Sequence, residues 1–406
     1  MTKIHLWPEE PFQKKDSIEL AATVEKSSGE RWRLWFRVPS AVQPALTRSM
    51  DPFVLAVLFS ALKTPADLEI HGEVSPSLLR NLAEFQKAWA LWLPEKYHPV
   101  DFSASSEREQ PRVESNEITM GFSGGVDSAF TAWQNRPDPA DLRQRKLTAG
   151  IMVHGFDIPI DQPEVFARAA EKSRLMLSSI GVSLIPISTN LREQRNDWDD
   201  SYGSALAACL MLFQGRFNAG FIASSFPYNN LITPTGSNPI TDRMLSNDSF
   251  QIIHDGAAYH KIEKIRQINL WPEARQYLRV CWEGRHKDRN CCRCQKCVWT
   301  MLIFRAIGQE SLPAFPYGIT NHEIQRLKYN DIGSYTSTRR LIKVLRSLKF
   351  TDSTVRALEV SVFINRIRFA SRRNLLLKKL FHVFEDRWFL DPDLAGQSFG
   401  QKKVPR

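Results

Sequence analysis

The sequence lacks any long hydrophobic run. No stretch approaches the roughly 18 uninterrupted apolar residues that a transmembrane helix needs, so we predict no transmembrane segment and no membrane partner. Residues 1–10 also lack a basic segment followed by an apolar stretch, which is the pattern of a secretory signal, and a cytoplasmic location is therefore expected. Internal repeats and low-complexity tracts are absent as well.

Two common nucleotide-binding motifs are missing. Neither Gly-x4-Gly-Lys-Ser/Thr, the phosphate loop of kinases and GTPases, nor the Gly-x-Gly-x-x-Gly turn of dinucleotide-binding folds occurs in the chain. Both of those binding modes are thereby excluded. The 406 residues are 43% apolar and 24% charged, which excludes wholesale disorder and allows about two or three domains with a full core.

One short segment has the features of a different phosphate-binding loop. Ser-Gly-Gly-Val-Asp-Ser, residues 123–128, follows an apolar run at 118–122 and precedes a segment at 129–133 that reads as a helix. Two glycines allow a phosphate to approach the backbone, whose N–H groups and helix dipole favour negative charge. Ser123 and Ser128 can donate hydroxyl hydrogen bonds, and Asp127 can hold Mg²⁺ or orient the loop. A helix start capped by Ser and Asp is the alternative interpretation.

The residues after this loop alternate between strand and helix patterns. This alternation predicts a parallel sheet with helices on both faces, with ligands beyond the carboxyl ends of the strands. A predicted strand at 148–154 ends in His154, near where an adenine would lie, although a lone histidine there is more often only hydrogen-bonded. Further candidates for substrate or phosphate contacts are Ser224, Ser225, Asp242, Arg243, His254, Asp255, Lys261, Lys264 and Arg266. Turn and cap roles explain the aspartates equally well, and a solvated helix face is the alternative for at least two of the last three residues.

Four cysteines have the spacing of a metal site. Cys291, Cys294 and Cys297 are separated by two residues each, and Cys281 upstream can supply a fourth thiolate of a closed tetrahedral zinc site. Such a site is structural, because no coordination position remains for substrate. Disulfides and an iron–sulfur cluster are the alternatives for these residues. Cys292 is either a bystander or an alternative ligand, and we expect Cys209 to be buried.

The loop and the cysteines together resemble a known family. Ser-Gly-Gly-x-Asp-Ser resembles the pyrophosphate loop (PP-loop) of the ATP pyrophosphatase superfamily, whose members have a HUP-like α/β fold and cut ATP between the α and β phosphates. With the late Cys…Cys-x2-Cys-x2-Cys knuckle, residues 115–312 resemble the 7-cyano-7-deazaguanine synthase (QueC) family. The resemblance implies the cofactors ATP, Mg²⁺ and Zn²⁺. It assigns the ATP phosphates to Ser123, Gly124, Gly125, Val126, Asp127 and Ser128, catalysis to Ser123, Asp127 and Ser128, and zinc to Cys281, Cys291, Cys294 and Cys297.

Other features differ from a stand-alone synthase. The chain has additional segments on both sides, and residues 224–243 and 254–256 are unlike the usual substrate segment. In this respect it looks more like the QueC-like proteins of bacterial anti-phage operons, the Qat and type IV CBASS systems. That resemblance implies a carbon–nitrogen ligase acting in antiviral defence, with AMP and pyrophosphate as products. Its carboxylate substrate would be similar to 7-carboxy-7-deazaguanine or borne by a protein, with an operon-encoded protein as partner.

Three other functions are compatible with the same motifs. A free-metabolite 7-cyano-7-deazaguanine synthase would need only ATP and ammonia. A tRNA-modifying PP-loop thiolase would need a sulfur-carrying cysteine in the crevice, for which only Cys209 is left. A nucleic-acid-binding scaffold with an inactive ATP site would have no need of an intact loop.

The flanking segments predict a domain on either side of the PP-loop domain. Residues 1–112 read as an N-terminal α+β accessory domain, with strands at 17–24, 31–38 and 67–72, helices at 51–62 and 75–91, and a linker at 99–117. Residues 113–312 form the predicted PP-loop domain with its four-cysteine zinc knuckle. Residues 313–406 read as basic helices that can contact nucleic acid or an acidic protein, or that are only a solvated basic surface.

Overall fold

A computed structural model describes residues 2–138, 140–141, 145–231, 233–329, 332–350 and 352–373. The chain divides into two units. The first comprises Met1–Asn290 and Leu312–Ala314, and the second comprises Cys291–Ser311 and Phe315–Arg406, each within the described residues. Among these residues, no helix is both long enough and apolar enough to cross a membrane.

In the described part of the first unit, one sheet contains eleven strands. Six of its neighbouring strand pairs are parallel and four are antiparallel, so the sheet is mostly parallel. The spatial order is β11-β10-β7-β8-β9-β4-β3-β1-β5-β6, with β2 paired to β3. The strands are β1 (Lys3–Pro8), β2 (Phe12–Gln13), β3 (Ser17–Lys26), β4 (Arg31–Pro39), β5 (Asp67–Val74), β6 (Phe102–Glu107), β7 (Glu117–Gly121), β8 (Lys146–His154), β9 (Ser183–Thr189), β10 (Ala219–Ala223) and β11 (Gln251–Asp255).

Helices of the first unit cover both faces of this sheet. Gly121 and Gly150 lie at successive levels of the β7–β8 ladder, where Gly121 pairs with Ile151 and Met120 pairs with Gly150. Neighbouring levels of a strand face opposite ways. The missing side chain of Gly121 faces Leu206, and that of Gly150 faces Leu177, so the two helices that carry these leucines lie on opposite faces. The helices are α1 (Asp51–Lys63), α2 (Pro76–Trp92), α3 (Val126–Gln134), α4 (Pro163–Ser178), α5 (Trp198–Met211), α6 (Lys261–Ile268) and α7 (Pro272–Tyr277).

The strands β7 to β11 form the parallel half of the sheet. In chain order, β7 is first, but it lies in the middle of its half, between β8 and β10. The chain therefore builds outward from β7 in one direction through β8 and β9 and then in the other through β10 and β11. This reversal is the switch point of a doubly wound sheet, where open α/β sheets bind ligands. The predicted α/β class with a large, mostly parallel sheet is confirmed.

The N-terminal segment belongs to the same sheet. Strand β4 pairs with β9 in antiparallel register, with Phe36 opposite Thr189, and this pair joins the two halves. Helix α1 is apolar on all sides and packs on α5, where the Ser204 hydroxyl donates to the carbonyl of Leu55. One hydrophobic core includes residues of both halves. Residues 1–112 therefore share a sheet and a core with the predicted PP-loop domain, and the expected linker at 99–117 contains the edge strand β6.

The described part of the second unit is helical. It contains α8 (Gln295–Ala306), α9 (Asn321–Gln325), α10 (Ile332–Ser347) and α11 (Asp352–Arg373). Asn365 on α11 fixes the chain after α9, since its Oδ1 accepts the N–H of Tyr329 at 2.9 Å and its Nδ2 donates to Leu327 O at 2.6 Å. Part of the basic segment predicted at 313–406, which includes Lys378, Lys379 and Arg387, lies outside the described residues.

Candidate functional site: a phosphate-type loop and a cysteine cluster

The Ser-Gly-Gly-Val-Asp-Ser loop lies at the switch point of the sheet. It follows β7, and Val126 begins α3, so the strand–turn–helix sequence agrees with the prediction. Gly124 has a φ of +75°, a conformation that favours glycine. Ser123 closes the turn, because its Oγ accepts the N–H of Gly125 at 3.3 Å and lies 3.2 Å from Ser128 Oγ. The turn and the first part of α3 thus present hydroxyl and backbone groups together.

Arg279 braces this loop from a distant part of the chain. Its backbone N–H donates to Gly124 O at 2.8 Å, and its Nη2 donates to Ser123 O at 3.0 Å. The side chain is only 7% exposed, and its Nε has no hydrogen-bond partner within the described residues. The guanidinium already has a carboxylate nearby, since its Nη2 lies 3.6 Å from Asp157 Oδ2. Sequence reasoning missed this role, because nothing in the local pattern around residue 279 points to the loop.

Asp127, the acidic residue of the loop, is held by two lysines of α6. Lys261 Nζ lies 2.6 Å from Asp127 Oδ2, and Lys264 Nζ lies 3.2 Å from Oδ1. Burial alone would raise the pKa of Asp127, but the two ammonium groups outweigh it and hold that pKa below its usual value. The carboxylate is therefore charged at neutral pH, and its side chain keeps 23% of its surface exposed.

Lys264 is the more buried of the two lysines. Only 2% of its surface is exposed, and its ammonium group also donates to Ser224 O at 2.5 Å, just beyond β10. Burial lowers the pKa of Lys264, and Asp127 opposes that change. Lys264, on α6, therefore connects this helix to Asp127 at the start of α3 and to Ser224, which follows the carboxyl end of β10. The contact between a lysine of this helix and the phosphates stays a prediction, and the pairing of these lysines with Asp127 was not foreseen.

Three of the other predicted substrate residues, Asp242, His254 and Asp255, have hydrogen-bond partners inside the protein. Asp242, which has no exposed surface, accepts from Ser237 Oγ at 2.6 Å and lies 2.7 Å from His254 Nδ1. Asp255 accepts from Thr131 Oγ1 at 2.7 Å, and burial raises the pKa of this carboxyl group. Asp242 thus holds Ser237 of the segment before β11, and Asp255, the last residue of β11, holds Thr131 of helix α3. Arg243, in contrast, is exposed.

His154 lies at the end of β8 but is not presented to solvent. It is 4% exposed, its ring stacks on Phe166 with centroids 4.5 Å apart, and its Nε2 lies 2.8 Å from Pro159 O. Burial lowers the pKa of this imidazole, so it is neutral at neutral pH. The structure does not bring His154 into contact with the loop residues, and its predicted nucleotide contact stays a prediction.

Cys281, Cys291, Cys294 and Cys297 form a cluster whose Sγ atoms all lie within 4.8 Å of one another. Backbone N–H groups point at two of these sulfurs: Gly284 N donates to Cys281 Sγ, and Cys294 N donates to Cys291 Sγ, each at 3.2 Å. Four clustered thiols with N–H donors suit a tetrahedral ion such as Zn²⁺, because the donors stabilise thiolate charge. The predicted four-cysteine set is thus brought together, as a group that can hold a metal ion.

The two remaining cysteines do not belong to this cluster. Cys292 is buried in a left-handed backbone conformation, with a φ of +59°. Cys209 lies fully buried in α5, where burial raises the pKa of its thiol. A thiol in that state is a poor nucleophile.

No family model matches the chain, and no curated protein and no solved structure matches it either.

Proposed function

We propose that the protein is an ATP-dependent adenylating enzyme with a HUP-like, PP-loop type of fold. The observation that carries this proposal is the placement of the Ser-Gly-Gly-Val-Asp-Ser loop between β7 and α3, at the switch point of the doubly wound sheet. The strand order β9-β8-β7-β10-β11 supports the same conclusion, since it corresponds to the order 3-2-1-4-5 of nucleotide-binding sheets.

The residues around the loop suit a triphosphate. Backbone N–H groups at the start of α3 and the hydroxyls of Ser123 and Ser128 can bind phosphate oxygens. Lys261 and Lys264 supply positive charge beside Asp127, and Arg279 supplies it beside Ser123. The lysines are now paired with Asp127, and phosphates would compete for them.

Asp127 fits the role of a magnesium ligand. It is a charged carboxylate with an exposed fraction, and hard oxygen ligands are those that Mg²⁺ prefers. When bound, Mg²⁺ would supply charge neutralisation at the phosphates. Zn²⁺ at the cysteine cluster would be structural, because four thiolates leave no position for a substrate.

The proposed reaction is adenylation of a carboxylate. A carboxylate oxygen attacks the α-phosphorus, the bond to the bridging oxygen breaks, and pyrophosphate leaves with its electron pair. A nitrogen nucleophile then attacks the acyl carbon and AMP leaves, which gives an amide and, by further dehydration with ATP, a nitrile. The protein contributes position and charge neutralisation, as in other phosphate transfers.

Within this class we favour a QueC-like defence enzyme whose acceptor is a protein partner. The support is indirect: the residues between β10 and α6 that a free substrate would contact are largely engaged in internal pairs, such as Asp242 with His254. A free-metabolite 7-cyano-7-deazaguanine synthase is the second candidate. The tRNA thiolase receives no support, because Cys209 is buried and its pKa is raised. The paired Asp127 and lysines of an intact loop favour an enzyme over an inactive scaffold.

The deciding experiment measures nucleotide products. Purified full-length protein is given ATP and Mg²⁺, with and without 7-carboxy-7-deazaguanine and ammonia, beside Asp127→Ala and the control Asp248→Ala, a 69% exposed aspartate on the surface. AMP and pyrophosphate that disappear only in Asp127→Ala support adenylation. A new deazapurine product would select the metabolite synthase, whereas AMP without such a product selects a macromolecular acceptor, identified by intact mass of co-expressed partners. ADP as the sole product, or equal AMP from Asp127→Ala, would overturn the proposal.

A further inference from the structure

A second group of metal-ligating side chains lies in the N-terminal half of the sheet, among residues distinct from those of the loop and the cysteine cluster. His5 is on β1 and Glu69 on β5, and the two residues are opposite each other in the parallel ladder. His71 follows Glu69 by two positions and so points to the same face. One ligand atom from each of the three residues lies within 4.8 Å of the others.

The distances within this group match the needs of one ion. His5 Nδ1 lies 3.0 Å from His71 Nε2, and two ligands at about 2.1 Å from a shared ion, at about a right angle, are about 3 Å apart. Glu69 is slightly further away, with Oε2 at 3.8 Å from His5 and Oε1 at 4.0 Å from His71. Without an ion, an N–H···N hydrogen bond joins the imidazoles; an ion would replace its proton.

The neighbouring side chains hold these ligands in place. Trp7 stacks on the His71 ring with centroids 3.3 Å apart and planes within 1° of parallel, which restricts the orientation of that imidazole. Lys3 Nζ lies 2.8 Å from Glu69 Oε2, so the carboxylate already binds a cation. The three ligands are 20–32% exposed, and an ion can therefore reach them from solvent.

We propose that His5, His71 and Glu69 bind one late first-row divalent ion, of the class of Ni²⁺, Zn²⁺ or Cu²⁺. Imidazole prefers these ions over Mg²⁺ and Ca²⁺. Two histidines and one carboxylate on one face of the sheet leave further coordination positions to water, so the site is open and exchangeable, unlike the closed cysteine cluster. Formation of the site needs Lys3 to release Glu69 and the carboxylate to move by about 1 Å toward the ring nitrogens.

The experiment that tests this proposal measures the number of Ni²⁺ ions bound per chain. Tag-free, full-length protein that carries one Zn²⁺ per chain, which the four thiols of the cysteine cluster bind first, is dialysed against micromolar Ni²⁺, and both metals are measured per chain by elemental analysis. We expect about one Ni²⁺ per wild-type chain with zinc unchanged. His5→Ala and His71→Ala should weaken nickel binding by at least about tenfold. Glu69→Gln should weaken it less, and His98→Ala, which removes an exposed histidine outside this group, should have no effect.

Each result decides the proposal. Loss of nickel in both histidine variants, with retention in His98→Ala, supports a shared site. Equal nickel binding by the wild type and both variants would overturn it, as would no binding by the wild type at these concentrations. A loss in only one variant would show a single-histidine contact and likewise overturn the three-ligand site. These residues are on the sheet surface, and circular dichroism of each variant checks that folding is unchanged.

Discussion

Lys264 Nζ lies 3.2 Å from Asp127 Oδ1 of the Ser-Gly-Gly-Val-Asp-Ser loop. The lysine is almost completely buried, whereas the side chain of Asp127 is 23% exposed. A buried ammonium needs an anionic or carbonyl partner, and Lys264 has both in Asp127 and the carbonyl of Ser224. In the proposed enzyme, the phosphates of ATP would compete with Asp127 for this ammonium group.

This relationship predicts different effects for the two lysines of α6. Lys264→Met should lower kcat for AMP formation by about 10²-fold, because it removes a fixed positive charge beside the phosphates. Lys261→Met should raise KM for ATP more than it lowers kcat, since Lys261 is 43% exposed at its side chain and less fixed. Steady-state kinetics with thermal unfolding of both variants measures this. Unchanged kcat in a folded Lys264→Met protein would contradict the assignment.

Gly124→Ala tests the loop backbone. Gly124 and Gly181 have almost the same φ, +75° and +74°, so alanine should cost each about 1–2 kcal/mol of stability. Only Gly124 lies in the loop, where an added Cβ would also approach Ser173 Oγ to 3.4 Å, whereas nothing lies within 4 Å at Gly181. We expect ATP binding, measured by calorimetry, to be lost in Gly124→Ala and kept in Gly181→Ala. Equal ATP affinity in both variants would show that Gly124 is not part of the proposed ATP-binding site.

The parts of this site that local sequence encodes were predictable. The apolar run at 118–122, the paired glycines and the following helical segment are contiguous, so the loop could be located from the sequence. The cysteine spacing is likewise local, so the cysteine cluster could be predicted in the same way. The partners of Asp127 and the bracing role of Arg279 come from tertiary contacts between distant segments, and such contacts leave no periodic pattern in the sequence.

The same limit applies to the fold: strands with a strong local pattern were predictable, and long-range strand pairing was not. Strands with strong apolar alternation, such as β3 and β4, were foreseen. Strand β6 was missed because it is an exposed edge strand of Ser and Glu, which reads as a linker, and β11 because its second half, His254–Asp255, is polar. The two halves form one sheet through the short β4–β9 pairing. This pairing was not predictable, because no turn or sequence motif indicates it.

Asp242→Asn should destabilise the protein. The wild-type carboxylate accepts from Ser237 Oγ, from Asn238 N at 3.0 Å and lies beside His254, all without exposure to water. Asparagine supplies one acceptor oxygen in place of two, so a buried donor loses its partner at a cost of about 1–3 kcal/mol. Urea denaturation measures the change. The control Asp248→Asn, on the surface, should stay within about 0.5 kcal/mol of wild type. A cost no larger than that of the control would mean that the buried pairing contributes nothing to stability.

Metal content tests the cysteine cluster. The protein should contain one zinc per chain at that cluster, and Cys281→Ser should lose most of it because a closed site needs all four thiolates. Cys292→Ala should retain it, since Cys292 is outside the cluster. Removal of zinc with a chelator should lower the Tm of wild type and leave that of Cys281→Ser almost unchanged. Zinc loss in Cys292→Ala together with retention in Cys281→Ser would assign the fourth ligand to Cys292.

The opposite pKa changes of two aspartates predict opposite dependences on pH. The lysines hold the pKa of Asp127 below its usual value against burial, so the stabilisation that its carboxylate provides is present above about pH 4 and is lost as the pH falls through that lowered pKa. Burial raises the pKa of Asp255, whose protonated form is therefore favoured by folding, and its contribution increases as the pH falls.

The free energy of unfolding of wild type minus that of Asp127→Asn should accordingly be constant between about pH 7 and 5 and decrease below about pH 4. The corresponding difference for Asp255→Asn should increase on acidification from about pH 7 towards pH 4. Denaturation curves at several pH values measure both. Because each is a difference against wild type, the titration of groups distant from the mutated residue cancels to first order. A difference for Asp127→Asn that grows on acidification would mean that burial, and not the two lysines, determines the charge of the loop carboxylate.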